Sequence, residues 1–316
     1  TQGVSSAASD VYKRQAYQGF ADSLQKEFIK RVVGEGWAPP GSRFLRNSQV
    51  FERVVKPLVD ANERVAFILL DSLRLELGVE LEKQIQEKHT VEMKTVWAQL
   101  PTYTEVGMAS LMPEAASNLK MKVVDGNLVT HLGEKPATNP QTRFSFLASK
   151  LGDRCDQMDL DTLAGVSKPQ KLSDQVRLLV VRSHELDSTA HASLAGALSY
   201  LPDLLRKVMF GLGRLAMMGF QKAVIATDHG FIICPSSQAG NLVSKPKGQW
   251  LVQKPRCLLG NGITDGTSLV LTTGQAGIPM ECKHYAVPLT LGTYEKGHDY
   301  YHEGLSLQEA MLPCLV

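Results

Sequence analysis

Residues 64–86 read RVAFILLDSLRLELGVELEKQIQ, and the fold is decided there. Val65 to Leu70 is an unbroken apolar run of strand length, the pattern of a strand buried on both faces. Asp71 ends the run, and residues 73–87 then carry apolar positions at helical spacing. Strand, acid, helix is the opening of a parallel α/β sheet, in which sites gather at the carboxyl ends of strands. The same order recurs downstream. QVRLLVVRSHELDSTAH (175–191) puts Asp187 and His191 after a strand over 176–182, and KAVIATDHGF (222–231) puts Asp228 and His229 after a strand over 222–227.

Working outward, VEMKTVW (91–97) predicts a further strand that leads into LPTYTEVGMASLMP (100–113). MKVVDGNLVTHLG (121–133) alternates around Asp125-Gly126, a hairpin turn signal. Helices are predicted over 140–151 and 192–218, then a Gly-, Pro- and Ser-rich stretch over 233–283 that reads as an insertion or a set of edge hairpins. A strand over 284–292 and a helix after His302 follow. Upstream, residues 17–34 and 47–62 have helical periodicity on either side of the breaker APPGSR (38–43), so 16–62 reads as a helical lead-in to a domain over 63–316. Residues 1–15 (TQGVSSAASDVYKRQ) have no initiator Met and no apolar periodicity. They are set apart as a non-native or disordered tail. The chain stops inside the apolar MLPCLV, which reads as a fragment of a larger protein.

Composition narrows the class. Hydrophobic content of 43% and charged content of 21% are those of a globular chain with a full core. A net charge of +2 gives no global field toward nucleic acid or an anionic membrane. The five cysteines are scattered without a C-x-x-C, which argues for reduced thiols in a cytoplasmic protein and against a zinc knuckle. No apolar run approaches the length of a membrane span.

Carboxylate and imidazole at successive strand ends form a ligand set suited to zinc or manganese. Each member also has an ordinary reading. Asp71 and Asp187 are residue types favoured at helix N-caps; Thr104 fits a cap too; Asp228-His229-Gly230 fits a plain turn. Arg74 suits a phosphate contact or a solvated helix face equally well. His184, Glu185 and His284 read as ordinary polar residues.

The blocks FILLDSLRLELG, LPTYTEVGMASLMP, ATDHGF and HEGLSLQE, in this order, resemble the alkaline phosphatase superfamily, and within it the PglZ domain of BREX-type bacterial phage-defence systems. The resemblance covers about residues 60–316, and FLRNSQVFERVVKPLV (44–59) is similar to the approach to that domain. It implies a three-layer α/β fold, a mostly parallel sheet with helices on both faces. It also implies two divalent metal ions, zinc or manganese. Asp71, Thr104, Asp228 and His229 would hold one; Asp187, His191 and His302 the other. Thr104 would be the nucleophile, with Thr102 as the alternative and His298 as the substitute for His302. Two ions about 4 Å apart clamp the attacking and leaving oxygens of an in-line displacement. The implied activity is hydrolysis of phosphate esters, nucleotides or nucleic acid among them, alongside other defence proteins; the alternative is a scaffold module with catalysis secondary. One departure stands out: the small Gly-Gly usual after the last His reads His302-Glu303-Gly304. The C-x-P-x-R motif of sulfatases is absent.

Overall fold

The computed structural model of the chain describes residues 2–38, 42–165, 172–234, 241–297 and 299–316. Val65–Leu70 is a strand with every residue buried. Its side chains alternate between two cores: Val65, Phe67 and Leu69 face one, and Ala66, Ile68 and Leu70 the other. That division is why the run is apolar throughout. The strand lies inside a seven-stranded sheet whose spatial order is Leu45–Arg46, Met93–Trp97, Met311–Leu315, Lys222–Thr227, Val65–Leu70, Leu178–Ser183, Cys155–Asp159. All neighbours pair parallel except Met311–Leu315, which runs antiparallel to both of its partners. The expected α/β fold with a mostly parallel sheet is present.

Helices cover both faces. Leu75–Gln86 buries Leu81 and Ile85, and Leu194–Met217 buries Leu204, Leu205 and Val208, all against the core that receives Ile68. On the other face lie Phe28, Ile29 and Val32 of the long helix Gln2–Glu35, together with Phe51 and Val55 of the following helical segment. The lead-in is therefore mostly helical and packs against the sheet, to which it adds the edge strand Leu45–Arg46; its first helix begins at Gln2, inside the residues expected to form a disordered tail. The predicted helix over 140–151 is Pro140–Leu151, capped by Asn139, whose side chain accepts from the Thr142 amide at 2.9 Å.

Among the described residues three smaller sheets accompany the main one, the shortest being Ile232–Ile233 paired antiparallel with Tyr300–Tyr301. The predicted hairpin is Leu119–Val124 with Asn127–Leu132, turned by Asp125 and Gly126, both at positive φ. A four-stranded antiparallel sheet, ordered Gly248–Gln253, Leu258–Gly262, His284–Pro288, Ser268–Thr272, fills most of the region read as an insertion. The strand expected over 284–292 is the shorter His284–Pro288 and belongs to this sheet, not the central one. His298 lies outside the described residues. Among the described residues, no helix is long and apolar enough to cross a membrane.

Candidate metal centre

Register brings the site together. Leu70 pairs with both Ser183 and Thr227. Three parallel strands thus end side by side, and the next residues are Asp71, the helix Glu185–Ala192 and Asp228. The Asp71 amide donates to the Ser183 carbonyl at 3.0 Å, continuing the ladder by one step.

Ser72 then turns the chain. It sits in the left-handed region at φ 63 and is fully buried, a conformation that a non-glycine residue holds only when its surroundings fix it. Its amide donates to Asp228 Oδ1 at 3.1 Å. Its hydroxyl lies 3.2 Å from Asp71 Oδ1 and 3.1 Å from Asp187 Oδ1. The Tyr300 hydroxyl stands 2.7 Å from Ser72 Oγ and 2.8 Å from Asp187 Oδ1. Three carboxylates from three strand ends are thereby held around one serine.

The Asp228 turn is clamped from two sides. Asn47, buried in the lead-in, donates its amide to the carbonyls of Thr227 and Asp228 at 3.1 and 3.2 Å. On the other side, the helix Thr104–Ser110 presses Gly107 against the turn so closely that a Cβ there would lie 2.5 Å from the Asp228 carbonyl oxygen. Only glycine allows that approach. It sets the Thr104 hydroxyl 3.1 Å from Nε2 of His229.

Each of the two buried histidines is oriented through its other nitrogen. His229 Nδ1 is 3.0 Å from the Gly230 carbonyl, and His302 Nδ1 is 3.0 Å from the Thr102 carbonyl. A carbonyl only accepts, so each Nδ1 carries the proton and each Nε2 presents a lone pair inward, the arrangement of a metal-ligating imidazole. His229 Nε2 faces Asp228 Oδ2 at 3.4 Å and Asp71 Oδ1 at 3.8 Å. His302 Nε2 faces His191 Nε2 at 3.3 Å and Asp187 Oδ1 at 3.7 Å. Thr102 spends its hydroxyl as well, donating to the Gly304 carbonyl at 2.9 Å.

Among the described residues two groups have ligand atoms close enough to share an ion: Asp187, His191 and His302, and Asp71, Asp187 and His229, each with all ligand atoms within 4.8 Å of one another. The first is the expected second set. The other contains two members of the expected first set, with Asp187 standing between the groups. Asp228 Oδ1 is taken by backbone amides of Ser72 and His229 at 3.1 and 2.9 Å, whereas Oδ2 is buried with no hydrogen-bond partner. A buried carboxylate oxygen without a donor is costly unless a cation meets it.

The electrostatics agree. Burial, with Asp228 and Asp187 beside it, pushes the Asp71 carboxyl far up. Burial likewise raises Asp228 to about 7. For Asp187, burial is outweighed by the facing His302 and His229, which hold it low. Burial lowers His229, and lowers His302 to about 4 with help from the neighbouring His229. Neutral imidazoles and crowded carboxylates are what a divalent ion requires and relieves. The donor set fits metal ions.

Seven sequence-predicted residues, Asp71, Thr104, Asp187, His191, Asp228, His229 and His302, thus converge. Thr104 and Asp187 are partly exposed and His191 is exposed, whereas Asp71, Asp228, His229 and His302 are buried. Arg74 does not join them: its guanidinium pairs with Glu76 and lies 5.4 Å from the Phe231 ring centroid. Ser72, Tyr300 and Asn47 are site residues that sequence reasoning missed. They are single polar residues outside any periodic pattern.

The model of the BREX system PglZ alkaline phosphatase-like domain matches residues 50–316. The alkaline phosphatase-like protein PglZ of Bacillus cereus (strain H3081.97) is 24% identical over 334 aligned positions, covering 99% of this chain and 36% of that protein. The alkaline phosphatase-like protein BrxZ of Escherichia coli O9:H4 (strain HS) is 28% identical over 214 positions, covering 63% of this chain and 23% of that protein. The chain therefore spans about a third or less of the length of these curated relatives. Among solved structures, murine ectonucleotide pyrophosphatase/phosphodiesterase 5 superposes with a TM-score of 0.54 at 10% identity, over 80% of this chain and 88% of that one. An inactive variant of it in complex with AMP gives the same score. Phosphonoacetate hydrolase from Sinorhizobium meliloti 1021 in complex with phosphonoacetate gives 0.50 at 11% identity, over 80% and 89%. These likenesses show the fold.

Proposed function

From the premise that this chain belongs to the family of BREX-system PglZ alkaline phosphatase-like domains, we propose that it is a metal-dependent hydrolase of phosphate esters with Thr104 as nucleophile. The observation that carries the reading is the Thr104 hydroxyl, partly exposed and 3.1 Å from Nε2 of His229, a member of one of the two metal-ligand groups. Asp71, Asp228 and His229 would hold one divalent ion, zinc or manganese, beside Thr104. Asp187, His191 and His302 would hold the other. When bound, the ions supply positive charge that favours a phosphate anion and lowers the pKa of a nearby hydroxyl.

The chain's own residues then have distinct tasks. Thr104 Oγ1 gives up its proton to solvent and attacks phosphorus, forming a Thr–O–P bond as the P–O bond to the leaving group breaks and the departing oxygen takes a proton from water. Water hydrolyses that phosphothreonine, breaking the same O–P bond and restoring the hydroxyl. Ser72 and Tyr300 keep Asp187 in place between the two ligand groups. Thr102, with hydroxyl and carbonyl both engaged, serves the scaffold of the site.

Nucleotides or nucleic acid are the substrates the reading favours, in keeping with the AMP complex of the murine structure. A reduced cytoplasmic setting agrees with five free cysteines, and membership of a BREX-system family suggests other defence proteins as partners. A pure scaffold has no use for a buried carboxylate oxygen left open at Asp228. The test is a panel of chromogenic phosphate monoesters and diesters, with Zn²⁺ or Mn²⁺ added to metal-stripped protein. Metal-dependent turnover of either class is expected; none with any substrate or metal would overturn the reading.

A further inference from the structure

The loops that carry His229 and His302 meet at one residue, Glu309. Its backbone carbonyl accepts from the Gly230 amide at 2.9 Å, beside His229. Its side chain accepts from the Gly304 amide at 2.9 Å, two residues after His302, and from the Ser306 hydroxyl at 2.7 Å. The same carboxylate takes a two-pronged guanidinium contact from Arg256, Nε to Oε1 and Nη2 to Oε2, each 2.8 Å. Arg256 and Glu309 are both fully buried. The remaining Arg256 nitrogen, Nη1, donates to the Gly292 carbonyl. Both oxygens of Glu309 have two donors each, so the pair is satisfied as a buried ion pair must be. Gly304 is packed against it: a Cβ there would lie 2.8 Å from Arg256 Nε and 2.9 Å from Glu309 Oε1.

We infer that Glu309, braced by Arg256, is a positioning residue that sets the spacing of the two histidine loops and hence of the two metal ions. The inference rests on the two-ion reading above. Its contacts are unequal. The hold on the His229 loop is through backbone and survives a side-chain change. The hold on the His302 loop is through the carboxylate, with Thr102 gripping the same loop from the opposite side through His302 Nδ1, the Glu303 amide and the Gly304 carbonyl. Arg256 comes from the connection between the first two strands of the four-stranded sheet, so that sheet is a structural part of the centre.

The experiment is titration of Mn²⁺ into metal-stripped wild type and Glu309→Gln, read by calorimetry and by electron paramagnetic resonance, with circular dichroism to confirm folding. Wild type should bind two ions and give an exchange-coupled spectrum. Glu309→Gln should keep the first ion within about threefold, weaken the second by about tenfold to hundredfold, as the loss of outer-shell support does elsewhere, and lose the coupled signal. Leu81→Ala, a buried change in the helix Leu75–Gln86, lowers stability without touching the loops. It should retain both ions and the coupling, which separates positioning from general loosening. Should Glu309→Gln fail to fold, Gly304→Ala carries the same comparison, because it displaces the loop from the pair with no charge lost. A folded Glu309→Gln or Gly304→Ala with wild-type affinities and an unchanged coupled spectrum overturns the inference and leaves the metal centre standing. Wild type that binds fewer than two ions overturns the two-ion reading, and the inference with it.

Discussion

Nδ1 of His302 donates to the carbonyl of Thr102 at 3.0 Å, and this bond separates two threonines that the sequence leaves as rivals. Thr102 is fully buried and its hydroxyl is engaged with Gly304. Thr104, two residues on, is partly exposed and faces His229.

Thr104→Ala should therefore abolish turnover, by about three orders of magnitude or more in kcat, with metal content retained. Thr104→Ser should keep partial activity. Thr102→Ala should instead lower stability and loosen the ion beside His302. Steady-state kinetics with elemental analysis of each variant checks this; a dead Thr102→Ala beside a fully active Thr104→Ala would reverse the assignment.

Asp187 belongs to both ligand groups, whereas His191 belongs to one. Asp187→Asn should weaken both ions by about tenfold or more, and His191→Ala only one. Competition with a chelator of known affinity measures the two constants separately. Two ions held at wild-type strength in Asp187→Asn would contradict the shared role.

The pH dependence has a definite sign. Asp228, raised by burial to about 7, favours the metal-free fold while protonated, and that contribution is lost as pH rises through about 7. His302, lowered to about 4 by burial, acts oppositely: its contribution is present above about 6.5 and is lost as pH falls through about 4. Between pH 6.5 and 8 the buried carboxyls act together and in the same direction, Asp228 with Asp71 and with Glu303, which burial raises to about 8. Metal-stripped protein should lose stability over that window, while the rise in melting temperature on adding Zn²⁺ should be largest at pH 8. Thermal melts at pH 6, 7 and 8 with and without metal test it. An equal metal-induced rise at all three would show that Asp228 is not among the titrating groups.

Gly107→Ala places a methyl 2.5 Å from the Asp228 carbonyl oxygen, so helix or turn must move. The cost should be about 1–3 kcal/mol in urea unfolding, with weaker metal binding. Gly126→Ala, where nothing lies within 4 Å but φ is +76, serves as a comparison: it should cost stability through backbone strain alone and leave metal binding unchanged.

The parts legible in sequence are those in which burial on both faces writes a continuous apolar run. Val65–Leu70, Leu178–Ser183 and Lys222–Thr227 are of this kind, and their ends name Asp71, Asp187 and Asp228. Cys155–Asp159 was not legible, because an edge strand reading CDQMD has only Met158 buried. In sequence Met311–Leu315 is only an apolar stretch, and Pro313 in its middle argues locally against a central strand. Ser72, Asn47 and Glu309 were illegible as site residues for another reason. Each acts through a hydrogen bond to a residue more than 70 positions away or to the far side of a loop, and no local pattern records such a partner.

The position of Met311–Leu315 in the sheet has a consequence for biosynthesis. It lies between Met93–Trp97 and Lys222–Thr227, yet a ribosome delivers it after all six of the other strands. Until then the two halves of the sheet have no shared neighbour, and His302 and Glu309 have not been anchored by the strand that follows them. The nascent chain thus carries Asp71, Asp187 and Asp228 together from the emergence of Asp228 until that of Met311 without the element that closes the sheet around them. Closure joins segments more than 200 residues apart, a slow kind of contact, and metal capture would mark its completion.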